Sequence, residues 1–174
     1  SEYIYNLGQF DNRGSYQAST KGNSNNFAIY GNIGWHILEN STISLFTRND
    51  EHKQTGSNRT YKFNFENFFK NKKLGFSYMT GLRNPTLYEL FGTDNYGYSG
   101  NKNLKAEKSN TFEVYTGLNF NKNIKLSIRG FKSNIKDNIE YINNQYQNDT
   151  DNINLNQSGI SNELQYKSNN TNIK

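Results

Sequence analysis

The chain has 174 residues, enough for one ordinary domain, and only 32% of them are hydrophobic, with a mean hydropathy of −0.99. Such values are typical of disordered chains, but 13 Tyr and 12 Phe argue against disorder, because disordered segments are poor in aromatic residues. The net charge of +5 comes from scattered lysines, so no nucleic-acid partner is expected, and the absence of cysteine excludes disulfides and thiolate metal sites.

Apolar and polar residues alternate along most of the chain, which is the pattern of β-strands and not of helices. Residues 27–37 begin the series, with Phe27, Ile29 and Trp35 on one face of a predicted strand. The pattern predicts about eight strands, at residues 1–10, 25–38, 42–51, 58–69, 73–84, 108–120, 124–144 and 152–168, and a ninth that begins near Thr171.

The predicted strand at residues 124–144 changes phase along its length. Ile135 and Ile139 leave the alternation set by Ile124, so we expect a β-bulge between Ser133 and Asn138. The part beyond this bulge, residues 139–146, is expected to stand above a membrane.

The connections between predicted strands alternate in length. Residues 40–41, 70–73 and 121–123 are short turns, whereas residues 11–26, 50–58, 84–108 and, to a lesser degree, 145–151 are long loops. This alternation is typical of an antiparallel transmembrane β-barrel with short periplasmic turns and long extracellular loops. No apolar run reaches the ~20 residues of a membrane-spanning helix.

The two faces of the predicted strands also differ in the way that a barrel requires. One face mixes aliphatic and aromatic side chains, which suits lipid with aromatic residues at the interfaces. The other face carries charged side chains that suit a wet lumen, namely Lys62, Glu66, Arg83, Glu113 and Arg129. A soluble β-sandwich also alternates and is the alternative fold, although its inward face is usually aliphatic.

The most distinctive sequence lies between Gly81 and Ser109. A predicted strand ends in GLRNPTLYEL, and the next strand follows GNKNLKAEKS. Pro85 should end the first strand, Thr86–Phe91 should form one helical turn with Leu87, Leu90 and Phe91 on one side, and Gly92 should allow a reversal. A tight turn is expected at Gly100-Asn101.

These two segments together resemble the barrel of TonB-dependent outer-membrane receptors, whose strands carry G-x-R/K-x-P-x-L-x-E-L and G-N-x-x-L-x-P-E-x-S segments. Ala106 stands where that family usually has Pro. The residues that match the motifs are Arg83, Pro85, Leu87, Glu89, Leu90, Gly100, Asn101, Leu104, Glu107 and Ser109. Their main expected role is to shape a loop at the barrel rim.

The resemblance implies that residues 1–174 form part of a barrel of ~22 strands and contain no plug domain. Residues 128–140 and 156–163 are most similar to the vitamin B12 (cobalamin) receptor branch, although siderophore and haem branches share these features. The implied partners are outer-membrane lipid, a small-molecule nutrient complex, and TonB acting through a plug domain outside this chain. The implied location is the outer membrane of a Gram-negative-type cell.

The resemblance therefore predicts a receptor for TonB-driven uptake of cobalamin, siderophore-bound iron or haem. A passive porin-like, structural or adhesive outer-membrane barrel is the first alternative. A soluble β-domain that binds carbohydrate or protein is the second.

Four aromatic residues of the 84–108 loop are the candidate ligand contacts, because they should cluster above the lumen: Tyr88, Phe91, Tyr96 and Tyr98. Packing of the loop against itself is the alternative role. No catalytic, cofactor or metal site is predicted, since His36 and His52 have no readable partners. Asp149 and Asp151 offer oxygens for Ca²⁺, but a polar hairpin tip is favoured there.

Overall fold

The computed structural model describes residues 2–11, 18–148 and 155–166 of the chain. Nearly all of them lie in strands: β1 (Glu2–Asp11), β2 (Ala18–Leu38), β3 (Ser41–His52), β4 (Gly56–Phe69), β5 (Lys72–Arg83), β6 (Gly92–Asp94), β7 (Glu107–Asn119), β8 (Ile124–Lys136), β9 (Ile139–Ile142), β10 (Gln145–Asn148) and β11 (Leu155–Tyr166). One short helix, α1 (Leu87–Phe91), interrupts the series. None of the helical structure in these ranges has the length and apolarity to cross a bilayer.

Eight of the strands form one antiparallel sheet in the order β1-β2-β3-β4-β5-β7-β8-β11. Each long strand therefore pairs with the long strands that precede and follow it in sequence, as in a barrel wall. The remaining strands belong to the loops, because β6 pairs with the upper part of β2 and β9 forms a hairpin with β10. The prediction of an all-β antiparallel sheet with about eight wall strands is confirmed.

The outer face of this sheet is apolar and exposed. The register places Leu45 opposite Ile33 on one side and Phe63 on the other, and Phe76 opposite Phe65 and Val114. Many large apolar side chains of this face are open to the surroundings, among them Ile29, Ile33, Trp35, Tyr61, Leu74, Phe112, Ile160 and Leu164. A sandwich would cover such a face with a second sheet, whereas lipid covers it in a barrel.

Aromatic rings form a continuous stripe across three strands of the outer face. Phe76 lies at the centre, with ring centroids 5.6 Å from Phe63, 5.5 Å from Phe65 and 6.3 Å from Phe112. Cross-strand aromatic pairs of this kind each add roughly 0.2–1 kcal/mol to sheet stability. The stripe therefore fixes the register of β4, β5 and β7 as well as facing lipid.

The predicted short turns are confirmed, at residues 39–40, 70–71 and 120–123 at one end of the sheet. At the other end the boundaries differ from the prediction. Residues 18–26 of the predicted 11–26 loop belong to β2, because β1 and β2 stay paired as far as Asp11 and Ser19; the tip of this connection lies outside the described residues. The predicted loop at 50–58 shrinks to residues 53–55. At this end the strands extend beyond the lipid, so both of their faces carry polar residues. The alternation of apolar and polar residues that predicts a strand is therefore missing here.

The expected bulge at Ser133–Asn138 is wrong. β8 pairs with β7 in unbroken register to Lys136 and then ends, and Asp137 takes a φ of 54°. Residues 139–148 form the separate β9–β10 hairpin, turned by Asn143 (φ 50°) and Asn144 (φ 61°). Asn tolerates these left-handed angles, as a tight hairpin turn requires. A register shift lies instead between His36 and Leu38, where β2 meets β3. The predicted ninth strand lies outside the described residues.

Candidate functional site

The long connections interlock at the loop end of the sheet. The connection after β5 crosses the tip of the β3–β4 hairpin and reaches β2, where Thr20 pairs with Gly92 and Ala18 with Asp94. Where it crosses this tip, Asn84 Oδ1 accepts a hydrogen bond from Thr55 Oγ1 at 2.8 Å. We call residues 84–106, the top of β2 and the β9–β10 hairpin the rim assembly. Because its parts pair with one another, the loop end is an ordered surface.

Helix α1 begins as the motif predicts. Thr86 is its N-cap and accepts from the Glu89 amide at 3.2 Å, while Glu89 Oε2 accepts from the Thr86 amide at 2.7 Å. This reciprocal pair is a capping box, which satisfies two amides that a short helix leaves open. Leu90 is fully buried against Leu104 and Ile139, so the helix is the lid of a small apolar core.

The remaining apolar motif residues complete this lid. Phe91 packs at the margin of the core, Leu87 is half-buried, and Pro85 is buried where β5 has ended. The predicted helical turn and strand end are therefore confirmed.

Arg83 joins three segments of the rim through two carboxylates. Its Nε and Nη2 donate to Glu107 at 2.6 Å and 2.9 Å, and its Nη1 lies 3.1 Å and 3.2 Å from the two oxygens of Glu89. Glu107 also accepts from the Ile139 amide at 2.7 Å. We call Arg83, Glu89 and Glu107 the Arg83 clamp. It ties the end of β5 to α1, to the start of β7 and to the start of β9.

The electrostatics of the clamp favour its charged form. Arg83 and Glu107 pair with each other at the loop end of β5 and β7, beyond the exposed aromatic pair of Tyr78 and Phe112. Burial alone would raise the pKa of Glu107, but hydrogen bonds from Arg83 and from the Ile139 amide hold that pKa below its ordinary value. The Glu107 hydrogen bonds in turn raise the pKa of Arg83. Charge-assisted fork contacts of this type are stronger than neutral hydrogen bonds.

The motif glycines provide space in the rim. A Cβ on Gly100 would lie 2.6 Å from the Leu90 carbonyl carbon and from the Phe91 amide nitrogen. Gly92 has a φ of −67°, so the expected reversal there is wrong. It is a glycine because a Cβ would lie 2.5 Å from the Tyr88 ring and 2.6 Å from the Tyr88 carbonyl oxygen.

The two remaining motif residues act in a turn and in a strand pair. Asn101 donates its amide to the Glu89 carbonyl at 2.8 Å, and its side chain accepts from Asn103 at 3.0 Å. The tight turn predicted at this point is confirmed, and it begins at Asn101. Ser109 pairs with Gly81, and a Cβ on Gly81 would lie 2.5 Å from the Ser109 hydroxyl oxygen.

The four candidate ligand contacts have different environments. Tyr88 and Tyr98 stack with ring centroids 4.7 Å apart, and the Tyr98 hydroxyl donates to the Tyr88 carbonyl at 2.7 Å. Tyr98 is only 3% exposed, whereas Tyr96 is 66% exposed. Phe91 packs against Gly22 and carries Lys102 5.8 Å from its ring centroid. Tyr98 therefore packs within the loop, which is the alternative role, whereas the Tyr96 ring is accessible at the surface.

Two rings that the sequence reading missed complete the aromatic group. Tyr141 and Tyr146 of the β9–β10 hairpin lie 5.9 Å and 5.7 Å from the Tyr98 ring. We call Tyr88, Tyr98, Tyr141 and Tyr146 the tyrosine cluster. Burial raises the pKa of Tyr98, with the neighbouring Tyr146 and Glu89 adding to the shift, so its hydroxyl remains a donor. This hairpin does have a sequence signal: the Asn143-Asn144 pair, a typical two-residue turn, lies between two short alternating segments.

The inner face of the sheet carries a polar network, which confirms the expected lumen face. Tyr115 lies at its centre, with its hydroxyl 2.8 Å from Glu66 Oε1 and from Asn64 Oδ1. Lys73 forms an ion pair with Glu66, and Arg129 lies 3.6 Å from Glu113. These residues line an open concavity of about 500 Å³. Such a wall suits water or a polar protein surface.

The two histidines have structural partners. The ring Nε2 of His52 lies 2.8 Å from the Ser24 hydroxyl, and the His36 Nδ1 lies 3.2 Å from Thr42 Oγ1. Across the described ranges, no three His, Cys, Asp or Glu side chains are grouped as a metal would require. Asp149 and Asp151 lie outside these ranges.

An antiparallel sheet with an apolar outer face, a polar inner face, short turns at one end and interlocked loops at the other is part of the wall of a transmembrane β-barrel. Residues 1–173 match the family model described as TonB dependent receptor-like, beta-barrel, and the chain belongs to that family. Barrels of this family are outer-membrane proteins, and the family consists of receptors and not enzymes, as the sequence predicted.

Solved structures similar to this chain include three siderophore-type receptor structures. The siderophore receptor PirA from Pseudomonas aeruginosa is 19% identical with a TM-score of 0.74, over 86% of this chain and 31% of that one. A mutant of the ferric enterobactin receptor from the same organism is 14% identical with a TM-score of 0.68, over 86% and 29%. The siderophore receptor PirA from Acinetobacter baumannii is 17% identical with a TM-score of 0.59, over 83% and 23%. The chain thus spans less than a third of each.

Proposed function

We propose that this chain is one partial barrel domain of an outer-membrane receptor that takes up a scarce nutrient complex with energy delivered through TonB. We further propose that the cargo is an iron–siderophore complex. Family membership supports the first proposal. The names of the similar structures, siderophore receptors and a ferric enterobactin receptor, support the second.

The observation that carries the proposal is the rim assembly, which presents ordered aromatic surface at the loop end. Tyr96 is exposed, and Tyr141 is 53% exposed with its ring centroid 5.9 Å from the buried Tyr98 ring. Aromatic surface on an ordered support binds large planar or amphipathic ligands at low entropic cost. In this proposal Tyr96, Tyr141 and the half-buried Tyr88 contact the cargo.

The chain's own residues bind and position, and they perform no chemistry. The apolar outer face lies in lipid, the polar network around Tyr115 lines the lumen, and the Arg83 clamp keeps the rim in place. TonB acts through a plug domain that is not among these 174 residues. Release of the cargo into the lumen then follows movement of that plug.

Cobalamin and haem are the competing cargoes. The segments that resemble the cobalamin branch, residues 128–140 and 156–163, lie largely in β8 and β11, where Gly130 pairs with Ile160. Because paired wall strands face lipid and lumen, this likeness carries little information about cargo. The cobalamin assignment remains a prediction.

The test is uptake by a Gram-negative host that lacks its own receptors and expresses the full-length protein. We expect TonB-dependent uptake of iron supplied as a siderophore complex, and none of cobalamin or haem. Uptake of cobalamin or haem alone would overturn the cargo proposal. A large open conductance in a planar bilayer, with uptake independent of TonB, would favour the passive barrel instead.

A further inference from the structure

We propose that His52 is a pH-sensitive switch in the rim assembly. Its neutral ring holds the turn between β3 and β4 against the connection that follows β5, and its protonation releases that turn. His52 is the last residue of β3 and is only 7% exposed. The inference concerns the order of the rim and does not depend on the cargo.

Two backbone amides determine which ring nitrogen of His52 carries the hydrogen. The amides of Gln54 and Thr55 both point at Nδ1 from 3.3 Å, so this nitrogen is their acceptor and carries no hydrogen. The hydrogen of the neutral ring is therefore on Nε2, which donates to the Ser24 hydroxyl at 2.8 Å. Neutral His52 thus closes the turn at residues 53–55 and ties it to β2.

The same turn makes a contact with the rest of the rim through Thr55. Its hydroxyl donates to Asn84 Oδ1 at 2.8 Å, and residue 84 begins the connection that continues through α1 to β6. Thr55 therefore binds His52 through its amide and the connection through its hydroxyl. The side chains of Lys53 and Gln54 bind Asn23 independently, so loss of the His52 bonds affects the turn and the connection but leaves the hairpin on β2.

A protonated His52 does not fit this arrangement. The added proton goes to Nδ1, so the amides of Gln54 and Thr55 lose their acceptor and face a positive charge instead. The Thr55 hydroxyl oxygen, 3.1 Å from Nδ1, is an acceptor for the new proton, but that bond does not satisfy the two amides. Burial also lowers the pKa of His52, and the negative charge of Asp50 opposes this effect.

The charged groups around His52 give the protonated ring little support. Asp50 lies two residues earlier on the same face of β3, but it is already bound to Arg48 at 2.8 Å. Glu51 and Lys53 adjoin His52 in sequence and point to the opposite face, where Lys53 binds Asn23. The other elements around the turn present uncharged side chains and one lysine, namely Ser24, Asn26, Asn58, Asn84 and Lys102. Among the described residues on its side of the sheet, the charged ring would thus find one nearby carboxylate, which it would share with Arg48.

The direction of the pH effect follows from the lowered pKa. The closed turn binds the proton less readily than the open turn, in which His52 has its ordinary pKa of 6.5. Protection of the turn is therefore constant above about pH 6.5 and falls below it, by at most about tenfold per pH unit. Between pH 7.5 and pH 5.5 the loss should be about threefold to tenfold. Glu107 loses its charge only below about pH 4.3, so the Arg83 clamp is unchanged in this range.

The first test is hydrogen exchange of the full-length receptor at pH 7.5 and pH 5.5. Protection factors are compared, because they remove the intrinsic effect of pH on exchange. The amides of Gln54 and Thr55 should lose about threefold to tenfold of their protection at the lower pH, and residues 84–91 should lose protection with them. A change below twofold at the turn, or a response of the turn that does not reach residues 84–91, would overturn the proposal.

Two substitutions separate the proton from the shape of the ring. His52→Asn offers an amide oxygen near the position of Nδ1 and does not titrate, so the turn should stay protected at both pH values. His52→Phe fills the space without an acceptor, so protection should be low at both. His36→Asn is the matched control, because His36 lies at the opposite end of the sheet, 3.2 Å from Thr42 Oγ1. It should keep the wild-type response.

Three outcomes of this second test would overturn the proposal. One is a wild-type pH response in either His52 variant, since neither side chain can take up the proton. Another is equal protection of the turn in His52→Asn and His52→Phe at pH 7.5, which would make the acceptor irrelevant. The third is loss of the response in His36→Asn, which would place the titrating group elsewhere. None of these measurements involves uptake, so failure of the cargo proposal is separately visible.

Discussion

Substitution of Arg83 by Gln should loosen the rim assembly while leaving the barrel wall intact. The side chains of Glu89 and Glu107 are only 11% and 14% exposed, and Arg83 is their common partner. Each charged hydrogen bond contributes about 1.5–3 kcal/mol in a shielded site. Because the Arg83 side chain is 43% exposed, solvent screening reduces the combined loss to roughly 2 kcal/mol.

A loss of that size corresponds to about 30-fold less protection against local opening. Hydrogen exchange of the full-length receptor measures it at the amides of α1 and at Ile139, which donates to Glu107. Protection of the ladder amides of β7 and β8 should not change. Arg129→Gln is the matched control, since Arg129 is 55% exposed and lies 3.6 Å from one carboxylate. Equal protection in Arg83→Gln and wild type, or an equal loss in Arg129→Gln, would refute the role of the clamp.

Four further results are expected. Gly100→Ala should cost about 1–3 kcal/mol in rim stability, because its Cβ would meet the backbone of Leu90 and Phe91. The control Gly31→Ala should cost little, because a Cβ there meets nothing within 4 Å. Local hydrogen exchange measures the difference between the two variants. The pKa of Glu107 is lower in the folded protein, so its contribution to rim stability is present above about pH 4.3 and is lost as the pH falls through the lower folded value. Protection of the Ile139 amide against hydrogen exchange should therefore decrease between pH 7 and pH 3. Loss of protection on raising the pH would contradict this prediction. Tyr96→Ala should weaken cargo binding about tenfold, and Tyr61→Ala, an exposed ring on the lipid face, should not; equal losses in equilibrium binding would remove Tyr96 from the site. The isolated 174-residue chain should not fold stably in detergent, because β1 and β11 each have an edge without a partner among the described residues; a monodisperse, heat-modifiable monomer would show the reverse.

Sequence periodicity predicted the wall because lipid on one face and water on the other impose strict alternation. Residues 27–37 and 112–119 are strands for that reason, and their apolar side chains face outward as expected. The motif between Gly81 and Ser109 predicted the end of the strand and the helical turn that follows it. These features are local, so they can be read from neighbouring residues.

The parts that the sequence did not predict depend on contacts between distant residues. The top of β2 has polar residues on both faces, so nothing local distinguishes residues 18–24 from a loop. The pairing of Thr20 with Gly92 and the meeting of Arg83 with Glu107 follow from the path of the loop across the sheet. Ile139 left the phase of Ile124 because a new hairpin begins there, and periodicity alone does not separate a hairpin from a bulge.

The most direct test of the membrane orientation of this wall is cysteine labelling in intact cells, for which this cysteine-free chain provides a clean background. Tyr96→Cys lies in the rim assembly, and Asn71→Cys lies in a turn at the opposite end of the sheet. A membrane-impermeant maleimide should label the residue at position 96 in intact cells and the residue at position 71 only after the outer membrane is opened. Labelling of both positions in intact cells, or of position 71 alone, would contradict a barrel wall whose rim faces the outside.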